Sequence, residues 1–414
     1  MIFFIYQFLL SLTLLFSPLI IIYRIFKNKE DKFRVKEKFC FFSKKRTIGK
    51  LIWFHGSSVG EIMSVIPIIK KYDDDKSVNK ILITSSTLSS SNILEKIKFK
   101  KTIHQFYPID HFLFSNKFLN YWKPDLAIFL ESEIWPSMFR SLKKRNTSLI
   151  LLNARITKKT FNRWSKLKKF SESTFNLIDI AYPQNSETKN YLKKLNVKNI
   201  KTIGNLKYID IDESKTNKID KKLFLQFKKY KTFVAASTHD PEELFIAKTH
   251  ILLKRKNKNL ITIIIPRHIN RVNEIIYQLK KLKLNVIART SKNKNLKNVD
   301  IFIIDTFGES KKFYKIATSV FLGGSIISRG GQNPLEPARF GTKILHGPYV
   351  GNFKEVYRYL DKLRISSKVK TPSQCANSII FKKNMKKVKK MKILGKNILK
   401  NTLNELDKSI HNGI

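Results

Sequence analysis

LIWFHGSSVGE, residues 51–61, is the stretch whose reading decides the fold. Leu51 to His55 is a short apolar run that reads as a buried strand, and an amphipathic helix begins at Val59. Ser58 and Glu61 fit the S-x-x-E pattern in which the two residues close a helix start. Strand, tight loop and helix together form the repeating unit of parallel α/β architecture. The unit recurs downstream. Ile81 to Thr84, Leu126 to Leu130, Leu149 to Leu152, Ile178 to Tyr182 and Ile200 to Ile203 read as strands, with helices such as Ile134 to Lys144 and Glu187 to Leu195 between them.

From Asp210 to Lys222 the apolar period fades into polar and charged residues, which reads as a linker. A second alternating half follows, with strands near Phe233 to Ala235, Leu260 to Ile265, Ile301 to Ile304, Val320 to Leu322 and Lys343 to Leu345. Glu242 to Leu253 and Asn270 to Leu282 read as helices, and the Lys-rich tail from Phe381 as a further one. The expected division is an anchor over 1–26, a first domain over 27–209, a linker over 210–230, a second domain over 231–380 and a basic helical segment over 381–414. Two doubly wound halves imply a cleft, with ligands at the C-terminal ends of the strands.

Composition narrows the class. The 414 residues suffice for two cores, and a 42% hydrophobic share is that of a globular protein. Lys and Arg number 81 against 31 Asp and Glu, a formal charge of +50 that favours anionic partners. Part of that charge is solvated surface in a chain rich in Lys, Ile, Asn and Phe. Cys40 and Cys375 lie far apart and make neither a disulfide framework nor a metal cluster, as in a reducing compartment. Met1 to Tyr23 carries no charge and is long enough to span a bilayer. The basic residues from Arg24 to Lys38 then place the remainder in the cytoplasm. An interfacial helix kinked at Pro18 is the alternative.

The loops that leave the strands carry the candidate chemistry. Glu61 reads either as a capping residue or as a general base at a ligand site. In Glu131-Ser132-Glu133-Ile134-Trp135-Pro136, Ser132 suits a helix cap and Glu133 the helix dipole, which leaves Glu131 without a structural task. Lys207 follows the last strand of the first half and suits developing negative charge. In the second half, Pro266-Arg267-His268, Asp305 to Glu309 and GGSIISRGGQNPLEP (323–337) end successive strands. Asn333 to Glu336 reads as a helix opening, and with the glycines before it as a phosphate site. Ser237-Thr238-His239 reads as a cap before the helix at Pro241. Asp73-Asp74-Asp75 follows a helix among lysines and does not read as a metal site.

HGSSVGE (55–61), QFYPID (105–110), ESEIWP (131–136), NARIT (153–157), GNLKY (204–208), AASTHDPEE (235–243), PRH (266–268), DTFGE (305–309) and GGSIISRGGQNPLEP (323–337) stand in an order that resembles the 3-deoxy-D-manno-octulosonic acid (Kdo) transferases of lipopolysaccharide assembly. The resemblance covers nearly the whole chain. It implies a GT-B fold of two Rossmann-like domains, the first binding the acceptor and the second CMP-Kdo. It implies an inverting, metal-independent and cofactor-free transfer of Kdo to lipid IVA at the cytoplasmic side of the inner membrane, among anionic lipids and without nucleic acid. Glu61 then becomes the proton acceptor, with Glu131 and Lys207 as transition-state stabilisers. CMP contacts fall on Pro266, Arg267, Phe307, Gly308, Glu309, Asn333, Pro334, Leu335 and Glu336. Gln332 departs from the His usual in that family, Gly56 from a common Ala and Tyr208 from a common Phe. Two other readings are a related GT-B transferase using another nucleotide sugar, and a membrane-tethered nucleic-acid-binding protein motivated by charge alone.

Overall fold

The computed structural model describes residues 2–209, 219–292 and 295–411. It falls into two compact units, Met1–Ile211 with Leu394–Ile414, and Asp212–Ile393.

The first unit is built on β1 (Leu51–His55), β2 (Lys80–Ser85), β3 (Thr102–Phe106), β4 (Leu126–Leu130), β5 (Ser148–Ala154) and β6 (Ile180–Pro183). All pair in parallel, in the order β3-β2-β1-β4-β5-β6. Successive side chains of a strand face opposite sides, and β1 shows the result. Ile52 and Phe54 join one core with Ile62, Val65 and Ile69 of the helix Val59–Asp74, while Leu51 and Trp53 join the other with Phe118, Trp122 and Phe139. The strand order reverses between β1 and β4, so the loops after these two strands flank the site at which such sheets bind ligands.

The apolar helix Ile2–Phe26 is long enough to cross a membrane by length and composition. Three of its polar residues are tied to the rest of this unit. The Tyr6 hydroxyl donates to Asp110 (2.8 Å), the Gln7 amide donates to Ser137 (2.6 Å) and accepts from Phe112 N (3.0 Å), and Ser11 Oγ lies 3.1 Å from His111 Nε2. Arg24 closes the other end on buried Glu30, which also holds Lys38. In the tail helix Met385–His411, Ile398 and Leu406 enter the core of the first unit, and Asp407 accepts from the Tyr72 hydroxyl (2.8 Å).

The second unit holds β7 (Lys231–Thr238), β8 (Leu260–Pro266), β9 (Val286–Ala288), β10 (Ile301–Ile303), β11 (Ser319–Leu322), β12 (Lys343–His346) and β13 (Ser366–Lys368), ordered β13-β12-β11-β7-β8-β10-β9 and all parallel. Its reversal falls between β7 and β11.

Several sequence expectations change. Ile200 to Ile203 makes a single bridge, to Ala181, and forms no strand. Residues 210–218 of the expected linker lie outside the described residues, and Lys221–Phe227 is a helix. Phe227 in that helix is buried against Phe302 and Phe313, because an apolar face so close to the sheet gains more from packing than from solvent.

Candidate active site

Glu61 sits where β1 hands over to its helix. The capping box is real: Ser58 Oγ accepts from Glu61 N (3.3 Å), and the Glu61 carboxylate reaches back to Ser58 N. The same carboxylate also accepts from Ser57 N (2.7 Å) and the Ser58 hydroxyl (2.8 Å). Burial, and then the negative charge of Glu133, push its pKa up to about 7 despite those bonds. Capping and acid–base readiness are therefore properties of one side chain. A carboxylate titrating near neutrality suits a general base.

Glu133 has a different place from the one its sequence suggests. Ser132 caps nothing; the helix is Pro136–Lys144 with Trp135 at its N-cap and Pro136 at the first position. One carboxylate oxygen of Glu133 instead accepts from the Ser57 hydroxyl (2.8 Å) and Trp135 Nε1 (2.9 Å), and lies 3.1 Å from His55 Nε2. Burial alone raises this carboxyl, but His55, Ser57 and Trp135 outweigh it and hold the group below the usual range. His55 is fully buried, which pushes its imidazole toward the neutral form. An ionised carboxylate only accepts, so the Nε2 of His55 carries the proton and Nδ1 takes one from the Thr84 hydroxyl (2.9 Å). Trp53 Nε1 donates to the same hydroxyl oxygen (2.9 Å). This buried chain, with Thr84 O also 3.3 Å from Nδ1, orients the His55 ring behind Glu133.

Glu131 ends β4 with φ +49°, a left-handed backbone that costs a non-glycine residue energy and is found disproportionately at functional sites. Its side chain is buried, and Lys207 Nζ lies 2.6 Å from Oε1. The contact is an ion pair by distance whose angles do not make a hydrogen bond. Lys207 is held there by its neighbours: Asn205 Oδ1 accepts from Lys207 N (2.9 Å), and buried Asn153 Oδ1 accepts from Leu206 N (3.1 Å). Glu131 also raises Glu61 electrostatically. Glu61, Glu131 and Lys207, scattered over 146 positions of sequence, thus meet at one end of the first sheet. Sequence reasoning missed His55, Glu133 and Asn153, although all three stand inside the quoted motifs.

In the second unit Pro266 ends β8, Arg267 follows it exposed, and Phe307, Gly308 and Glu309 follow β10. Phe307 is 76% exposed, and Gly308 takes φ +78°. The Glu309 carboxylate is spent internally, on Thr306 and Lys312 (2.6 Å), with Arg289 at 3.4 Å. The helix opening at Asn333 is shorter than its sequence suggests. Asn333 Oδ1 does accept from Leu335 N (3.1 Å), but the helix is only Leu335–Ala338, its N-cap position is Pro334, and Glu336 pairs with Lys311 (3.3 Å). A single turn supplies little helix dipole, because the aligned peptides are few.

The glycine pair Gly323-Gly324 also has a different reason from phosphate binding. Buried Glu242 places its carboxylate at the β7/β11 reversal and accepts from His239 N (3.1 Å), Gly324 N (2.7 Å), Ser325 N (3.0 Å) and Ile326 N (2.9 Å). A Cβ on Gly323 would stand 2.3 Å from Ser237 O and 2.7 Å from Glu242 Oε2, so glycine is required by internal packing. The backbone donors expected to cradle a phosphate here are already occupied.

Comparison with known proteins agrees with this arrangement. The family described as 3-deoxy-D-manno-octulosonic-acid transferase (kdotransferase) matches residues 33–210. A 3-deoxy-D-manno-octulosonic acid transferase of Rickettsia bellii is 31% identical over 91% of this chain and 90% of its own length. One of Haemophilus influenzae is 30% identical over 84% of each. Among solved structures, a UDP-N-acetylglucosamine 2-epimerase aligns at TM-score 0.53 with 12% identity, over 86% of this chain and 91% of the other, which shows the shared two-domain GT-B-like fold alone. With the ordered motifs now placed on two parallel α/β units, the chain belongs to the Kdo transferase family.

Proposed function

We propose that the chain transfers Kdo from CMP-Kdo to the 6′-hydroxyl of lipid IVA, inverting the anomeric carbon. The acceptor oxygen bonds to that carbon, its proton passes to Glu61, and the bond to the CMP phosphate oxygen breaks with its electron pair leaving on CMP. The observation that carries this reading is the Glu61 carboxylate with its pKa pushed up to about 7 beside two further carboxylates and Lys207. Glu131 offers negative charge to the oxocarbenium-like centre, and Lys207 offers positive charge to the oxygen that gains it. On this reading Pro266, Arg267, Phe307, Gly308, Glu309 and Asn333 to Glu336 hold CMP. With the Glu309 carboxylate spent on Lys312 and Thr306, that loop offers its backbone and the exposed Phe307 ring. The apolar helix Ile2–Phe26 and the +50 charge suit a bis-phosphorylated lipid acceptor in an inner membrane with anionic headgroups, with both units on the cytoplasmic side.

The test is product mass after incubation of the full chain in detergent with lipid IVA and CMP-Kdo generated in situ. A gain of one or more Kdo masses is expected, and the number counts the units added. Unmodified lipid IVA, or tighter calorimetric binding of UDP than of CMP, would sink the reading and favour a related transferase with another donor.

A further inference from the structure

A hollow of about 760 Å³ opens beside the end of β12 and lies wholly within the second unit. It touches none of the residues that the resemblance assigns to CMP. One wall is the loop after β11 and the other the loop after β12, and the two are stitched together. Tyr349 N donates to Ser325 O (2.9 Å), Asn352 N to Gly330 O (3.0 Å) and Asn352 Nδ2 to Arg329 O (3.3 Å). Behind them the Tyr357 hydroxyl donates to Gln332 O (3.0 Å). The walls of the hollow are thus joined by hydrogen bonds that leave the charged groups of its arginines and lysines uninvolved.

Its chemistry has two parts. Arg329, Lys354, Arg358 and Lys368 line it, and among the described lining residues Asp361 is the one acid, with its carboxylate already taking the Ser366 hydroxyl. That excess of cations calls for an anion, and the two arginines suit a carboxylate or phosphate. The other part is His346, the last residue of β12. It is 2% exposed, lines the hollow, and leaves Nε2 without a partner. Nδ1 lies 2.7 Å from Gly347 O. A carbonyl oxygen only accepts, so Nδ1 carries the proton, and burial pushes the imidazole toward its neutral form. Nε2 is therefore an unpaired, buried lone pair on a residue that lines the basic hollow. It cannot help bind an anion; it needs a donor, such as a hydroxyl. A buried acceptor with no donor is costly and rare in folded proteins.

We infer that this hollow binds a hydroxylated oxyanion, an acidic or phosphorylated sugar, with Arg329, Arg358 and Lys368 on its charge and His346 Nε2 accepting from one of its hydroxyls. Which of the two sugars it takes rests on the proposed function. The acid group belongs to the donor's Kdo and the phosphates to the lipid acceptor. The site's chemistry stands without that reading.

Calorimetry on the full chain in detergent tests it with three ligands: free 3-deoxy-D-manno-octulosonate, glucosamine 1-phosphate and neutral glucosamine N-acetylated to remove its charge. One of the two anions should bind and the neutral sugar should not. The anion that binds names the source. Arg358→Gln with Lys368→Gln should weaken that binding at least tenfold while CMP binds as before. His346→Phe, which fills the space without offering a lone pair, should weaken it too. If that substitution unfolds the chain, binding by an anion without hydroxyls (acetate or sulfate) gives the same answer, and should be much weaker than the sugar. Binding that survives the double substitution, is displaced by CMP, or is absent for both anions would overturn the assignment. A chain that binds the anion this way yet makes no Kdo-lipid product would refute the proposed function and leave the site standing.

Discussion

The two sheets reverse their strand order at equivalent places and furnish them in opposite ways. At β1/β4 three carboxylates crowd together, and Glu61 is held close to neutrality by burial and by its neighbours' charge. At β7/β11 the fully buried Glu242 accepts from four backbone N–H groups, and its buried neighbour Glu243 faces Arg271 (3.4 Å). The difference lies in what compensates the charge. Rigid peptide donors that exist only in the folded state stabilise an anion and leave it inert. Other carboxylates do the reverse, and keep a proton within reach of chemistry. One topology therefore holds a cluster of interacting carboxylates in the first unit and a carboxylate capped by backbone donors in the second.

Four experiments break or sharpen that contrast. The largest effect belongs to Glu61→Gln. The amide can still accept from Ser57 and reach back to the cap, so the melting temperature should not fall, while transfer falls by about 10²–10⁴-fold, the usual contribution of a positioned base. Retained transfer would reduce Glu61 to a cap. Lys207→Met should lower kcat by about 10²-fold, the loss typical of one preorganised electrostatic group. An effect on KM alone would mean that Lys207 only binds.

Glu242→Gln is the matching experiment at the other reversal. One carboxylate oxygen becomes a donor facing N–H groups, and buried donors left unsatisfied cost about 1–3 kcal/mol each. The second unit should melt earlier, and CMP binding should fall only as far as folding does. Unchanged stability would show that the capped carboxylate is dispensable.

The smallest effect is a shift in pH dependence. On the proposed mechanism the active form of Glu61 is the deprotonated one, so kcat should rise with pH through about 7. Glu133→Gln removes a neighbouring negative charge and should move that rise to lower pH. The stability sign is opposite to that of an ordinary salt-bridged carboxylate. Glu61 is raised above its ordinary 4.5, so the folded state holds the extra proton between about 4.5 and 7. The wild type should lose stability relative to Glu61→Gln as pH climbs through that window. A rise unmoved by Glu133→Gln would assign the titration to another group.

The strands that the sequence reveals and those it hides differ by position. β1, β4, β8 and β11 are interior strands, buried on both faces, and read as continuous apolar runs. β3, β9 and β13 escape notice, and all three stand at sheet edges. Thr102–Phe106 carries Thr, His and Gln, and Ser366–Lys368 carries no apolar residue, since one flank faces no neighbouring strand and needs less burial. The site follows a similar rule. Glu61, Glu131 and Lys207 were legible as residues of strand-end loops within ordered motifs. Glu133 was misread as a partner of a helix dipole, because its true partner, His55, lies 78 positions away. Glu242 was passed over because only one of its four donors, His239 N, is local, and the other three come from positions 324–326.

By itself the sequence determined the alternation of strand and helix, the division into two parallel α/β units, the apolar first helix and the family. Those follow from periodicity and from motif order, which are properties of neighbours along the chain. Tertiary structure alone decided which carboxylates crowd together and titrate near neutrality, which glycines serve packing, and where an acceptor such as His346 Nε2 is left without a donor. The physical reason is that protonation and hydrogen-bond satisfaction are set by burial and by the charges and donors within a few ångströms, and in this chain those come from residues far apart in sequence.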